Sequence, residues 1–124
     1  MKRAYRLRRP DQFQRVRREG RSWDHSLLIL NAMPNRRRVT RCGFVVTKRL
    51  GGAVERNRVR RRVREAIRLA YPSLQVGWDL VFVLRSKALI DMEFDRIQSA
   101  IEQLLRRASV WNEQASDGAP QQSA

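Results

Sequence analysis

Seven arginines fall within thirteen residues, at Arg56, Arg58, Arg60, Arg61, Arg62, Arg64 and Arg68, and only Glu55 and Glu65 oppose them. Arginine carries a planar fork of donors that grips phosphate and stacks on bases, so the chemistry this spacing offers is the binding of a polyanion. Solvated helix faces usually mix their signs, whereas like charges at i, i+3 and i+4 destabilise an isolated helix by about a few tenths of a kcal/mol per pair. Without an anionic partner the pattern is a cost.

Residues suited to making or breaking bonds are scarce. His25 is the only histidine and sits beside Asp24 at the start of a strand, where a solvated or hydrogen-bonded surface role is favoured over a catalytic base. The spacings CxxC, HExxH, GxxxxGK[ST] and GxGxxG are all absent. Asp91, Glu93 and Asp95 resemble a metal cluster, but on one helix they project in different directions and suit its positive end. The sequence therefore predicts no catalytic side chain and no metal-ligating set. Cys42 has no partner cysteine, and its place in an apolar strand predicts a small buried residue.

Charge is divided unevenly along the 124 residues. The whole chain carries +15, yet residues 1–68 hold 22 Lys and Arg against 5 Asp and Glu, a net of +17, and residues 69–124 hold 5 against 7, a net of −2. One part of the molecule is built to face phosphate. No apolar run approaches the roughly 20 residues that span a bilayer, and MKRAYRLRRPDQF lacks the apolar segment of a secretory signal. A soluble cytoplasmic protein without a membrane partner is expected.

The elements that must position the arginines follow from periodicity. Residues 1–9 are basic without an apolar stripe and are read as an arm that orders only on its partner. Pro10-Asp11 starts a short helix carrying Phe13 and Val16, and Gly20 stops it. Residues 22–33 end in an apolar run that suits a strand, PNRRR makes a turn, and Val39 to Lys48 is expected to return antiparallel as a hairpin. Gly51-Gly52 permits a tight turn into the arginine helix, whose apolar stripe is Val59, Val63, Ala66, Ile67 and Ala70. Pro72 ends that helix, and WDLVFVL is too apolar for anything but an interior strand. A last helix starts near Asp91 with the stripe Phe94, Ile97, Ala100 or Ile101, Leu104 and Leu105.

The resulting order is α-β-β-α-β-α, a single-domain two-layer α/β sandwich of the α+β class. The organised domain covers residues 10–111, and residues 112–124 are expected to form a disordered polar tail. The surroundings of the arginine helix lack helix-turn-helix spacing or a zipper. A sheet beside a basic helix also offers apolar or aromatic side chains to single-stranded nucleotides, with Phe13 and Trp23 as candidates that equally suit a core.

The stretch VVTKRLGGAVERNRVRRRVREAIR resembles the protein subunit of bacterial ribonuclease P. The motif residues are Thr47, Lys48, Arg49, Gly51, Ala53, Val54, Arg56, Asn57, Arg58, Arg62 and Arg64, with an earlier Phe-x-x-Val-x-x-x-Gly step at Phe13, Val16 and Gly20. The resemblance runs from Leu7 to about Ala108. It implies the same element order with a left-handed β-α-β crossover, against the usual right-handed rule. It implies an accessory subunit of the endoribonuclease that removes the 5′ leader from precursor tRNA, with the chemistry residing in the RNA.

On that basis the expected RNA-subunit contacts are Arg56, Asn57, Arg58, Arg60, Arg61, Arg62, Arg64 and Arg68. The expected leader contacts are Phe13, Arg17, Lys48, Arg49 and Arg85. Mg2+ would be held mainly by RNA and substrate, the partners would be the catalytic RNA and precursor tRNA, and no small-molecule substrate is implied. Many members have a second aromatic where this chain has Arg17, and an aromatic on the first strand near where it has Leu30 and Asn31. Leader recognition is then expected to rest more on phosphate. The alternatives are a ribosomal or general structural RNA-binding protein and a protein-only nuclease.

Overall fold

The computed structural model describes residues 3–113. Three helices and four strands follow in the order α1 (Pro10–Glu19), β1 (Arg21–Asp24), β2 (Leu28–Pro34), β3 (Arg41–Val46), α2 (Ala53–Ala70), β4 (Trp78–Leu84) and α3 (Phe94–Arg107). The α+β class and the alternation of elements are as expected. Residues 22–33, however, form two strands rather than one. His25 breaks them: its backbone N–H donates to the Leu28 carbonyl at 2.9 Å and its Nδ1 accepts from the Leu27 N–H at 3.1 Å, closing a turn.

The sheet order is β1-β2-β4-β3, with β3 parallel to β4 and the other pairs antiparallel. The expected β2–β3 hairpin does not form, because β4 lies between the two strands. Its seven residues are the most apolar in the sheet, and all but Trp78 are buried. A strand apolar on both faces belongs in the middle, and the more polar β3 is left nearer the edge. The turn after β2 also ties that strand to β4, since the Asn35 N–H donates to the Gly77 carbonyl at 2.9 Å.

Alternation along the strands gives the sheet two different faces. One bears Leu28, Leu30, Cys42, Leu80, Phe82 and Leu84 and packs with the α2 residues Val59, Val63, Ala66 and Ile67 and the α3 residues Ile97, Ile101, Leu104 and Leu105. Both helical stripes are evident from their period, and they form the sandwich with the sheet. The opposite face bears Val81, Val83, Ile29, Met33 and Val45, against which α1 sets Val16 and Phe13. Trp23 lies opposite Leu30 in register and packs on the α2–α3 core with the Arg21 guanidinium 5.2 Å from its ring centre. It is therefore not on the face that carries Phe13.

Residues 3–7 do not form a detached arm. Arg6 bridges to Cys42 on the outer edge of β3, Leu7 is buried, and the Tyr5 ring stacks on Tyr71 at 4.4 Å. The edge strand offers unpaired backbone groups, and the Leu7 N–H meets the Cys42 carbonyl at 2.9 Å. The last helix begins at Phe94, later than Asp91, so only Asp95 lies in its first turn. Of the expected tail, residues 114–124 lie outside the described residues.

Candidate nucleic-acid interface

The turn into α2 is set by two glycines and one carboxylate. Gly51 adopts φ 151°, and a β-carbon there would lie 2.4 Å from Glu55 Oε1. That same oxygen accepts the Gly52 N–H at 2.9 Å, satisfying one of the donors left open at a helix start. The helix then buries Val59, Val63, Ala66 and Ile67 and turns its arginines to two different tasks.

Arg56, Arg60, Arg61, Arg64 and Arg68 stay on the flank and outer side with Asn57. Arg60 donates to Asn57 Oδ1 at 2.8 Å, and Arg68 pairs with Glu65 at 2.7 Å. The latter pairing draws the Glu65 carboxyl below its usual range and raises the Arg68 guanidinium. Nε of Arg56 and of Arg64 is enclosed without a hydrogen-bond partner among the described residues, as is the Thr47 hydroxyl. Enclosed donors without partners are uncommon, and here they border the surface where phosphate is expected.

Arg62 has a different task from the one the arginine pattern suggested. Its guanidinium donates to the Leu89 and Ile90 carbonyls at 2.9 Å each and to the Met92 carbonyl, fastening the turn before α3. Arg58 does so in part, with Nε donating to the Ile90 carbonyl at 2.8 Å and Nη2 lying 3.9 Å from Asp91. The carbonyls of that turn need donors, and arginine has five in a fixed geometry. Arg62 is thus an internal clamp, whereas half of Arg58 remains exposed. Val54, 82% exposed on the first turn of α2, joins the outer surface although it lies outside the apolar stripe.

The second surface lies between α1 and the sheet. Phe13 is half-buried, packed on Gly43 so closely that a β-carbon there would sit 2.5 Å from its Cε2. One turn on, Arg17 is exposed on the same side of α1, while Arg15 lies on the other flank, toward Arg41 and Asp79. Lys48 and Arg49 follow β3 after Thr47, with Leu50 buried as the anchor of their short helical turn. Arg85 follows β4. Because β3 and β4 run parallel and end together at Val46 and Leu84, with the Thr47 N–H on the Leu84 carbonyl at 3.1 Å, the three cations share one end of the sheet. All three are exposed. This end leads through Gly51-Gly52 into α2, so the two surfaces meet at the turn.

His25 closes a turn, and the Cys42 thiol is pushed up to about 12, first by burial and then by the Asp79 charge. Asp91, Glu93 and Asp95 do not converge, and among the described residues no group of three or more His, Cys, Asp and Glu is placed to hold a metal ion. No helix among the described residues is long and apolar enough to cross a membrane.

Comparison with known proteins adds to this geometry. The family model described as Ribonuclease P matches residues 1–109. A ribonuclease P protein component of Roseiflexus castenholzii is 64% identical over 110 residues, covering 89% of this chain and 90% of the relative. That of Chloroflexus aurantiacus is 58% identical over 108 residues, covering 87% and 80%. Among solved structures, the Staphylococcus aureus RNase P protein matches with a TM-score of 0.77 at 29% identity, covering 87% of this chain and 98% of that one. The RNase P protein from Thermotoga maritima matches with a TM-score of 0.75 at 28% identity, covering 82% and 96%.

Proposed function

The chain belongs to the ribonuclease P protein family, and on that premise we propose that it holds the single-stranded 5′ leader of precursor tRNA between α1 and the sheet while the outer arginines of α2 dock on the catalytic RNA. As a ribonuclease P protein component it is an RNA-binding subunit of the holoenzyme that matures tRNA 5′ ends, with ribonuclease P RNA as its partner. The alternative of a ribosomal or general structural RNA-binding protein is set aside by that membership.

The observation that supports the leader reading is that Phe13 packs on Gly43 of β3, the strand whose far end leads into the exposed Lys48 and Arg49, with Arg85 after the parallel β4. A partly exposed aromatic on the same sheet as three exposed cations suits a single strand, with a base stacking on the ring and phosphates meeting the cations. Arg17 extends the positive rim. On the other side of the Gly51-Gly52 turn, Arg56, Asn57, Arg58, Arg60, Arg61, Arg64 and Arg68 present donors to RNA phosphate, and Arg62 holds the turn behind them. The protein thereby positions the leader relative to the ribozyme, working as a cytoplasmic ribonucleoprotein. Mg2+, held mainly by RNA and substrate, would supply the Lewis acidity for hydrolysis, and the protein's charges would lower the magnesium needed to hold the two RNAs together.

The test uses the reconstituted holoenzyme. Phe13→Ala should weaken binding of leader-bearing precursor by about 1–3 kcal/mol, the range for one stacked base, and leave mature tRNA binding unchanged. Equal loss for both ligands would reduce Phe13 to a packing residue and sink the leader assignment. Arg56→Ala with Arg61→Ala should weaken assembly with the catalytic RNA and raise the magnesium needed for cleavage. An unaltered magnesium titration would exclude α2 as the docking face.

A further inference from the structure

Two basic stretches are not used by either surface above: the arginines before α1, and the Arg36-Arg37-Arg38 run after β2. The fold brings them together at the start of β3 and β4, the end opposite Lys48 and Arg85 and roughly 20 Å away by strand rise. There a cleft of about 610 Å3 opens between Arg15 on α1 and Arg36 and Arg37 on the turn. A neighbouring cleft of about 550 Å3 lies between Arg6, Arg8 and Arg9 and the same Arg37. Arg41 contributes to both but is committed to Asp79, at 2.9 and 2.7 Å.

The arginine turn is held in shape by hydrogen bonds that leave its guanidinium groups uncommitted. Asn35 Nδ2 donates to Asp79 Oδ1 at 2.8 Å and to the Val39 carbonyl at 3.1 Å, while Asn35 Oδ1 accepts the Arg37 N–H at 2.7 Å. Arg36 adopts φ 61°, a conformation uncommon outside glycine, asparagine and aspartate. Strained backbone persists where the surroundings fix it, and it concentrates at ligand sites. Arg36, Arg37 and Arg38 are exposed, and among the described residues no carboxylate forms an ion pair with them or with Arg6 or Arg8.

We propose that these two clefts and the turn between them form a further RNA-binding surface, which grips the phosphate backbone of a helical segment of the catalytic RNA. The inference rests on the ribonuclease P reading only for the identity of the RNA. No aromatic side chain lines either cleft, so the surface lacks the stacking platform that a single-stranded leader uses, and arginines held in a fixed turn match the regular phosphates of a helix. The basic surface also continues toward α2. Arg6 pairs with the outer edge of β3, and the Tyr5–Tyr71 stack joins that segment to the end of the arginine helix.

The test compares the full-length protein with the variant Arg36→Gln, Arg37→Gln, Arg38→Gln for binding to the catalytic RNA across a potassium chloride series. Affinity should fall at least about tenfold, and the slope of log affinity against log salt should become shallower by about 2–3, near 0.9 for each phosphate no longer neutralised. The matching triple lysine variant should recover most of the slope, and the preference for precursor over mature tRNA should be unchanged. Unaltered affinity and slope would overturn the proposal, as would a loss confined to precursor binding, which would assign the surface to the leader. If circular dichroism shows the turn variant misfolded, Arg8→Gln with Arg37→Gln, on two separate segments, carries the same test. Should the wild-type protein fail to bind the catalytic RNA selectively, the broader reading fails instead.

Discussion

The ring of Phe13 rests on the backbone of Gly43, near enough that no larger residue fits beneath it without moving the ring. One residue on α1 and one on an edge strand thus set how closely that helix approaches the sheet.

Gly43→Ala is the direct probe of that packing. Its β-carbon would fall 2.5 Å from Cε2 and 3.1 Å from Leu7 Cβ, forcing both α1 and residues 3–7 outward. The expected cost is about 1–3 kcal/mol in a urea titration, the range for overpacking. Precursor affinity should fall along with stability, whereas Phe13→Ala should relieve the clash and recover part of the stability in the double variant.

Arg62 and Arg61 are adjacent and identical in type, yet the fold separates their roles. Arg62→Ala removes charged donors from three carbonyls, so denaturation should show a loss of about 1.5–3 kcal/mol. Arg61→Ala, exposed on the outer side, should alter stability by less than about 0.5 kcal/mol and instead weaken RNA binding. Equal thermal shifts for the two would contradict the division.

That pair also shows what the sequence can and cannot disclose. The stripe Val59, Val63, Ala66 and Ile67 is visible because burial of a helix face imposes a local period. The inward turn of Arg62 is not, since it depends on unsatisfied carbonyls 27 to 30 residues away. The same limit explains the hairpin. PNRRR looks like a local turn, but β4, about forty residues on, supplies the better partner for both flanking strands. Trp23 is legible as an aromatic in a strand, while the side of the sheet it occupies depends on the separate turn at His25. The clustering of Lys48, Arg49 and Arg85 comes from resemblance to the family; alternation alone does not bring two distant strand ends together.

Asp79 and Arg41 form a nearly buried pair, their side chains 10% and 14% exposed. Truncating one partner leaves the other charged and desolvated, so Asp79→Ala should cost about 3–5 kcal/mol. Asn35 would lose its anchor on the same carboxylate, and the arginine turn should loosen. Proteolysis at Arg36 to Arg38 should therefore accelerate in the variant even under conditions where the rest of the protein remains folded.

Alkaline pH should destabilise the protein through Cys42 and Tyr71. Burial is the first cause in both, raising each group to about 12 from ordinary values of 9.0 and 10.0. The unfolded chain then releases these protons before the folded one does. Stability is retained below pH 9 and falls as pH rises toward 12, by at most about 1.4 kcal/mol per pH unit for each group. Cys42→Ser tests this specifically: it should flatten the first part of the decline, and in the wild type iodoacetamide should label Cys42 only on unfolding.

Arg17 offers the sharpest test of how this chain handles a leader. The residue is exposed one turn beyond Phe13, on the same side of α1. A cation there can meet a phosphate but provides no aromatic ring for a base, so its contribution should fade with added salt. Arg17→Phe exchanges one kind of interaction for the other. At low salt, precursor affinity should change little, because a stack of about 1–3 kcal/mol takes the place of the phosphate ion pair. With rising salt the variant should overtake the wild type, its log–log slope shallower by about 0.7 for one single-strand phosphate. Parallel salt dependences would mean that Arg17 does not touch the leader, leaving Phe13, Lys48, Arg49 and Arg85 to hold it.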